Sequence, residues 1–572
     1  MNMLIVIFCV VVLFFGASLQ LEPCVVKLDS TSYGVGILNS TFSGVSHCVY
    51  LGVRYAEAPI GRLRFKNPVL HVPSGAQNYT VVGNICTQEN HFHSPTDIIG
   101  DEDCLFLNIY SPLVAIDAGQ NVKYQVLVFV HGGTFAVGHS LVDTGSGVDL
   151  LVESGILVVT INYRLGPHGF LRYPELNITG NYGIKDQREA LRWVQRYVKF
   201  FGGDPQRVTL MGQSAGAGAV TALLYAESAR GLFQQLIAIG GSTLAPWARN
   251  YNFGSFAEKL ASNLNVTSLE QFQEVDSKLL FNITYNFIGY FTMFYGVFLP
   301  TVEEDDEPDA LLTGLPHKNV LNKPVNQVPI LMGQTATEFE LLLFYADFLY
   351  MGDNYPNNEN ETIKTNIAKF IAYAEQYLED PEFYKKFANM ANMCYPIKKF
   401  LKQLSKQLDT NPIYYYRFEF DGRFGYYKNG YYKSRTNGSR YGAVHGDDLG
   451  YIFTPYVVKA ALQNRSEYRR EWKVHERTVE LLSNFVKYGN PTPKESKLSN
   501  IVWPAYNENA TRPVYLNIDE TFEIRQDDDV DNRFYNMWDK IYHCLYYYEC
   551  DSFNYEWGDS ENDEIDNTIN NE

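Results

Sequence analysis

The stretch Arg207-Val208-Thr209-Leu210-Met211-Gly212-Gln213-Ser214-Ala215-Gly216-Ala217-Gly218-Ala219 decides how this chain is read. An apolar, β-branched run meets Gly-X-Ser-X-Gly and passes into a run of small residues. That order predicts a strand, a tight turn and a helix. A serine on such a turn is held out of the bend, with the positive end of the helix dipole aimed at it. Gly212 and Gly216 are expected there because side chains would strike the neighbouring strand and helix. The stretch reads as a nucleophile elbow, and it implies acyl-transfer chemistry. The pattern alone also fits a glycine-rich turn with a capping serine, so its surroundings have to decide.

Upstream, Val126-Leu127-Val128-Phe129-Val130 is a strand with no polar position, and it runs straight into His131-Gly132-Gly133-Thr134. Leu157 to Tyr163 reads as a second buried strand. Between it and the elbow strand, Ala190, Leu191, Val194, Tyr197 and Val198 recur at helical spacing within 183–201. Leu236–Ile239, Val328–Met332 and Tyr414–Phe418 read as later strands. Continuous apolar strands separated by helices predict an α/β fold with a large, mainly parallel sheet covered on both faces.

The chain has 572 residues, 46% hydrophobic, and a net charge of −18. That charge argues against nucleic acid or an anionic membrane as partner. Residues 1–18 read as a signal peptide, with Leu4 to Phe15 apolar and Gly16-Ala17-Ser18 at the cleavage site. No later run is long enough to span a membrane. Residues 19–543 form one catalytic-size unit, and 544–572 are an acidic, tyrosine-containing tail with no Lys or Arg, expected to be disordered. Asn-X-Ser/Thr acceptors stand at Asn39, Asn78, Asn177, Asn265, Asn282, Asn360, Asn437, Asn464 and Asn509. Seven cysteines follow the signal, in an odd number and with no metal-type pair, so structural disulfides are the better reading in an oxidising compartment. Cys86 and Cys104 bracket a polar loop; bridging them is worth about 3 kcal/mol in the chain-entropy model.

A serine nucleophile needs a base, and the base needs an orienting carboxylate, in the chain order serine, acid, histidine. Three histidines follow the 328–332 strand. His475 lies in a helical stretch, where a surface histidine is the plain reading, and His543 adjoins the tail. His445 sits in the glycine-flanked loop Tyr441 to Leu449, as an active-site residue at a strand end would. For the acid, the loop after Met332 offers Glu338 and Glu340, and spacing does not choose between them. The oxyanion requires backbone N–H groups, one from Ala215 and others from the His131–Thr134 loop.

With these motifs in order, the chain resembles the type-B carboxylesterases of the α/β-hydrolase superfamily. The likeness runs from about Val35 to Tyr542. It rests on Tyr55 to Phe65, Glu102-Asp103-Cys104-Leu105, His131-Gly132-Gly133, Asn162 to Gly166, Gly180-Asn181 with Asp186-Gln187, Phe201 to Pro205, the elbow, and Gly442 to Leu449. The resemblance implies the triad Ser214, Glu338 and His445, and the oxyanion donors Gly133, Thr134 and Ala215. It also implies the disulfide Cys86–Cys104 and the ion pairs Arg64–Glu102 and Arg164–Asp186. No cofactor or metal is implied; the partner is a small-molecule ester, and the oligomeric state is left open. The chain departs from the family pattern at Thr134, usually Gly or Ala, at Phe339, often Gly, and at Gly240, usually a serine behind the acid. The family's second disulfide loop is also absent. Two readings follow. One is a secreted serine carboxylesterase acting on neutral, apolar esters. The other is an extracellular adhesion or matrix protein on the same fold, as neuroligins and glutactin are, the latter with a similar acidic, tyrosine-rich end. The filled triad favours the first.

Overall fold

The computed structural model describes residues 24–547, apart from 91–93, 114–122, 142–146, 251–252, 289–297, 339–388, 429–441 and gaps of one to three residues at 308, 409, 426, 455–457, 459–460, 462–463, 495–497, 499, 508, 511, 528 and 546. The expected signal peptide, Phe339, Glu340, Asn360, Asn437, Cys550 and most of the acidic tail lie outside the described residues, as do the side chains of Tyr285 to Tyr295 and of Cys544.

Eleven strands form the central sheet: β1 (Ile37–Ser40), β2 (Ser46–Arg54), β3 (Phe106–Pro112), β4 (Tyr124–Val130), β5 (Ile156–Ile161), β6 (Gly203–Gln213), β7 (Gln235–Ile239), β8 (Ile330–Thr335), β9 (Ile413–Phe418), β10 (Val514–Ile518) and β11 (Phe522–Gln526). Their spatial order is β11-β10-β9-β8-β7-β6-β4-β5-β3-β2-β1. The seven from β10 to β5 run parallel, and the outer pairings are antiparallel. The chain reverses its direction of winding where β6 lies beside β4, and an open α/β sheet opens its crevice at the carboxyl ends of such strands.

The apolar runs give buried strands because both faces are covered. Alternate residues go to opposite sides. Val126, Val128, Val130, Leu210 and Leu236 join one core, while Leu127, Phe129, Met211, Ile237 and Leu331 join the other. Helix α1 (Tyr182–Tyr197) buries the predicted Ala190, Leu191 and Val194. It also carries charge into the core. Lys185 and Glu303 meet at 2.6 Å with both side chains fully buried. The charges cost desolvation, so removing one partner is expected to leave the other stranded and destabilise strongly. Helices α2 (Ala215–Leu223), α3 (Arg469–Tyr488) and α4 (Asp529–Leu545) complete what is needed to place the site. Tyr547, past the expected boundary at 543, is buried and stacks on His317 at a ring distance of 4.2 Å.

Two disulfides form, Cys86–Cys104 and Cys24–Cys48; Cys394 is buried, and its sulfur accepts from Gln334 Nε2 at 3.2 Å. The seven described Asn-X-Ser/Thr acceptors (Asn39, Asn78, Asn177, Asn265, Asn282, Asn464 and Asn509) are all exposed. Among the described residues no helix is long and apolar enough to cross a membrane.

One expectation is corrected. His475 is not on the surface: it is fully buried on α3, edge-on to Trp472 and Phe424. Burial disfavours the imidazolium and pushes its pKa down to about 4, partly opposed by the Tyr451 backbone. An unfolded histidine titrates near 6.5, so between about pH 4 and 6.5 the unfolded chain binds a proton that the fold refuses. The contribution of His475 to stability is therefore lost as pH falls through that window, by about 3 kcal/mol at most. His475→Phe should gain stability relative to the parent as pH drops from 7 to 4.5. Denaturant unfolding of both proteins across that range checks this; a pH-independent difference contradicts it.

Candidate active site

The elbow forms as the sequence requires. β6 ends at Gln213, α2 begins at Ala215, and Ser214 between them has φ 54° and ψ −121°, a backbone region that L-residues rarely occupy. A Cβ on Gly212 would lie 2.3 Å from the Gly216 oxygen, and one on Gly216 would lie 2.3 Å from the Val130 oxygen. Only glycine lets helix, turn and β4 come this close. The Ser214 N–H is tied to Ile239 O at 2.8 Å, so the turn is braced by β7.

The loops carrying Glu338 and His445 meet. Glu338 Oε2 lies 2.5 Å from His445 Nδ1, and Glu338 Oε1 accepts from the Thr335 N–H at 2.5 Å. The Glu338 side chain is almost wholly buried. Asn389 clasps this loop from 51 residues away: its Oδ1 accepts from the Glu338 N–H at 2.7 Å and its Nδ2 donates to Ala336 O at 2.9 Å. Thr337 pairs with Val444, its N–H reaching Ala443 O at 2.9 Å, so the two loops are stitched together. A carboxylate against Nδ1 requires the proton there, which leaves Nε2 as the acceptor. The Gln213 Nε2 donor lies 3.2 Å from that nitrogen. The residue beside the nucleophile therefore touches the imidazole edge that a base must use.

Gly240 explains one departure. Its φ is 60°, and an added Cβ would sit 3.0 Å from His445 Cε1 and 3.3 Å from Glu338 Oε2. A side chain here would press on both groups. The Thr335 N–H supplies a hydrogen bond to Glu338 Oε1.

The loop after β4 lies over the serine. A Cβ on Gly132 would come within 2.8 Å of Ser214 Cβ. Ala136 and Val137 N–H groups close the loop onto Gly133 O at 3.0 and 2.9 Å. Among the described residues, the N–H groups of Gly133 and Thr134 meet no backbone acceptor. Ala215 opens α2, where the first N–H groups have no partner inside the helix. Thr134 holds φ 54° although β-branched, with its Oγ1 bonded to Gly133 O at 2.8 Å. His131 is buried, stacks on Tyr163, and has its pKa pushed down to about 3 by burial, so it stays neutral.

Both implied ion pairs form. Arg64 Nε lies 2.6 Å from Glu102 Oε2, and Arg164 grips Asp186 through Nη2 at 2.6 Å and Nε at 2.8 Å. Behind the histidine stand two carboxyls that motif reading did not single out. Asp447 and Asp448 are buried, and each pKa is pushed up to about 7 by burial. The Glu338 carboxylate adds to the rise at Asp448, and the Tyr416 hydroxyl donates to Asp448 Oδ2 at 2.8 Å. A separate open crevice lined by Gly218, Ala222, Tyr225 and Arg249 borders α2 and includes none of Ser214, Glu338 and His445.

Comparison with known proteins places the chain among esterases. Residues 31–538 match the model of the carboxylesterase family. Esterase E4 of Myzus persicae is 29% identical over 522 residues, covering 85% of this chain and 90% of its own. A juvenile hormone esterase of Heliothis virescens is 30% identical over 542 residues, covering 85% and 89%. The crystal structure of juvenile hormone esterase from Manduca sexta, with OTFP covalently attached, aligns with a TM-score of 0.78 at 26% identity, covering 91% of this chain and 100% of that one. The chain is a carboxylic ester hydrolase with the α/β-hydrolase fold, and it belongs to the carboxylesterase family.

Proposed function

We propose that the protein is a secreted serine carboxylesterase that turns over neutral, apolar esters through an acyl-enzyme on Ser214. The observation that carries this is the buried Glu338–His445 pair at 2.5 Å, beside an elbow serine. Ser214 Oγ attacks the ester carbonyl while His445 Nε2 takes its proton. Negative charge gathers on the carbonyl oxygen, facing the N–H groups of Gly133, Thr134 and Ala215. His445 returns the proton to the leaving alcohol, and a water then repeats the sequence on the acyl group. Glu338 Oε2 accepts from the Nδ1–H and fixes the ring's tautomer and orientation. Exposed Asn-X-Ser/Thr acceptors and two disulfides support an extracellular protein.

The test is covalent labelling of the purified protein by a fluorophosphonate probe, together with turnover of a naphthyl ester. Labelling with turnover is expected. Absence of both would instead favour the adhesion or matrix reading.

The preference for neutral esters rests on two absences in the sequence. The Cys86–Cys104 loop holds no tryptophan to face a quaternary ammonium, and the residue before the nucleophile is the neutral Gln213. Long-range attraction from a net charge of −18 is screened by salt and gives no selectivity at contact. A neutral butyrate thioester should therefore exceed butyrylthiocholine in kcat/KM at matched size. A choline preference of about tenfold or more, about 1.4 kcal/mol, would contradict the reading.

A further inference from the structure

We infer that Gln88 is a positioning residue for the oxyanion loop, joining the disulfide loop to the backbone that receives the negative charge. The inference rests on the acyl-transfer reading above. Gln88 lies two residues after Cys86 and is 4% exposed. Its carboxamide makes three hydrogen bonds. Nε2 donates to Gly138 O at 2.8 Å and to Cys86 O at 3.0 Å, and Oε1 accepts from the Gly138 N–H at 2.8 Å. Two carbonyls on one side and an N–H on the other fix which end is nitrogen. Neither a carboxylate nor an apolar side chain can reproduce the set.

Gly138 is where such a clamp acts on the loop. With φ 114°, it packs so closely that a Cβ would lie 2.4 Å from His131 Nδ1 and 2.6 Å from Gly132 O. Its neighbour Val137 donates to Gly133 O at 2.9 Å. A Cβ on Gly133 would lie 2.0 Å from Val137 O, so the two peptides are in contact. Moving Gly138 thus moves Gly133 and Thr134, whose N–H groups face the oxyanion. The far end of the clamp is held in turn. Cys86 is bridged to Cys104, and the adjoining Glu102 and Asp103 are paired with Arg64 and Arg54. Donors for a developing charge act only if they are already in place, because reorganisation during the reaction forfeits the benefit. The Gln88 amide supplies that fixity without touching substrate.

The test uses the full chain with Gln88→Met and Gln88→Glu, each normalised to sites titrated by a fluorophosphonate, so that misfolded protein does not count. Three quantities are measured: kcat and KM for a p-nitrophenyl ester, the affinity for a trifluoromethyl ketone, and the affinity for the matching methyl ketone. The fluorinated ketone forms a bond between Ser214 Oγ and its carbonyl carbon, the serine proton passes to His445, and the resulting oxyanion sits among the loop donors. The methyl ketone reports ground-state binding. Gln88→Met is expected to lower kcat about 30-fold, short of the loss from deleting a donor outright, with KM within about threefold. Trifluoromethyl ketone affinity should fall by the same factor, and methyl ketone affinity should not change. Gln88→Glu, which sets a carboxylate oxygen against the Gly138 and Cys86 carbonyls, should lose at least as much. Titrated variants that keep kcat and fluorinated-ketone affinity within about twofold of wild type overturn the inference, whatever their melting temperature. A wild-type protein that neither labels nor turns over ester overturns the serine reading and this inference with it.

Discussion

Ser214→Ala should abolish ester turnover and fluorophosphonate labelling while leaving the melting temperature unchanged. The chemical part follows from the side chain: alanine has no oxygen with which to form an acyl-enzyme. Removing the nucleophile of a serine hydrolase costs on the order of 10⁶ in kcat, leaving only what the oxyanion donors and binding provide. The structural part follows from the turn. Residue 214 is held at φ 54° and ψ −121° by Ser214 N–H to Ile239 O and by the close passage of Gly212 and Gly216. Alanine keeps the Cβ and pays the same backbone strain of about 1–3 kcal/mol that serine pays. The difference in stability should therefore lie within about 0.5 kcal/mol, as for a substitution that breaks none of the packing. Turnover of a p-nitrophenyl ester and thermal unfolding are measured on the same preparation. Near-wild-type turnover would mean that the nucleophile is elsewhere; lost turnover with a large fall in melting temperature would mean that the serine is a structural cap.

Most of the framework was legible because local chemistry dictated it. The runs 126–130 and 157–161 could only be strands buried on both faces, and the two cores divide their residues alternately. The elbow glycines were readable because each has a backbone atom where a Cβ would go. His475 was misplaced although its signal was present. Trp472, His475, Val479, Leu482 and Val486 fall at helical spacing on one stripe of α3, so the histidine belonged to the buried face. Other residues had no local signal. Asn389 and Gln88 act on loops 51 and 50 residues away, and their roles exist only after tertiary folding. The choice between Glu338 and Glu340 was open from spacing and followed only from the family likeness. Glu338 is the carboxylate found against His445, while Glu340 lies outside the described residues.

Glu338→Gln should lower kcat/KM by about 10³–10⁴ with the fold intact, because it inverts the proton on His445. In the parent, Thr335 N–H occupies Oε1 and His445 Nδ1 occupies Oε2. The Thr335 donor cannot face an NH₂ group, so a glutamine here keeps its oxygen toward Thr335 and turns its NH₂ toward Nδ1. The imidazole must then offer Nδ1 as acceptor and carry its proton on Nε2. That places a hydrogen on Nε2, the nitrogen that needs a free lone pair to act as base. The stitching of Thr337 to Ala443 and the Asn389 clasp involve backbone groups and survive the change, so the effect stays local. Glu338→Asp retains the charge but is one methylene short, and should lose less than glutamine does. Glu340→Gln is the control two residues on in the sequence and should leave the rate within about twofold. Steady-state kinetics on a neutral ester, with unfolding curves for each variant, give the comparison. A Glu338→Gln protein retaining more than about a tenth of parental kcat/KM would show that His445 does not depend on this carboxylate for its tautomer. A large loss at Glu340→Gln instead would move the acid to the alternative that spacing left open.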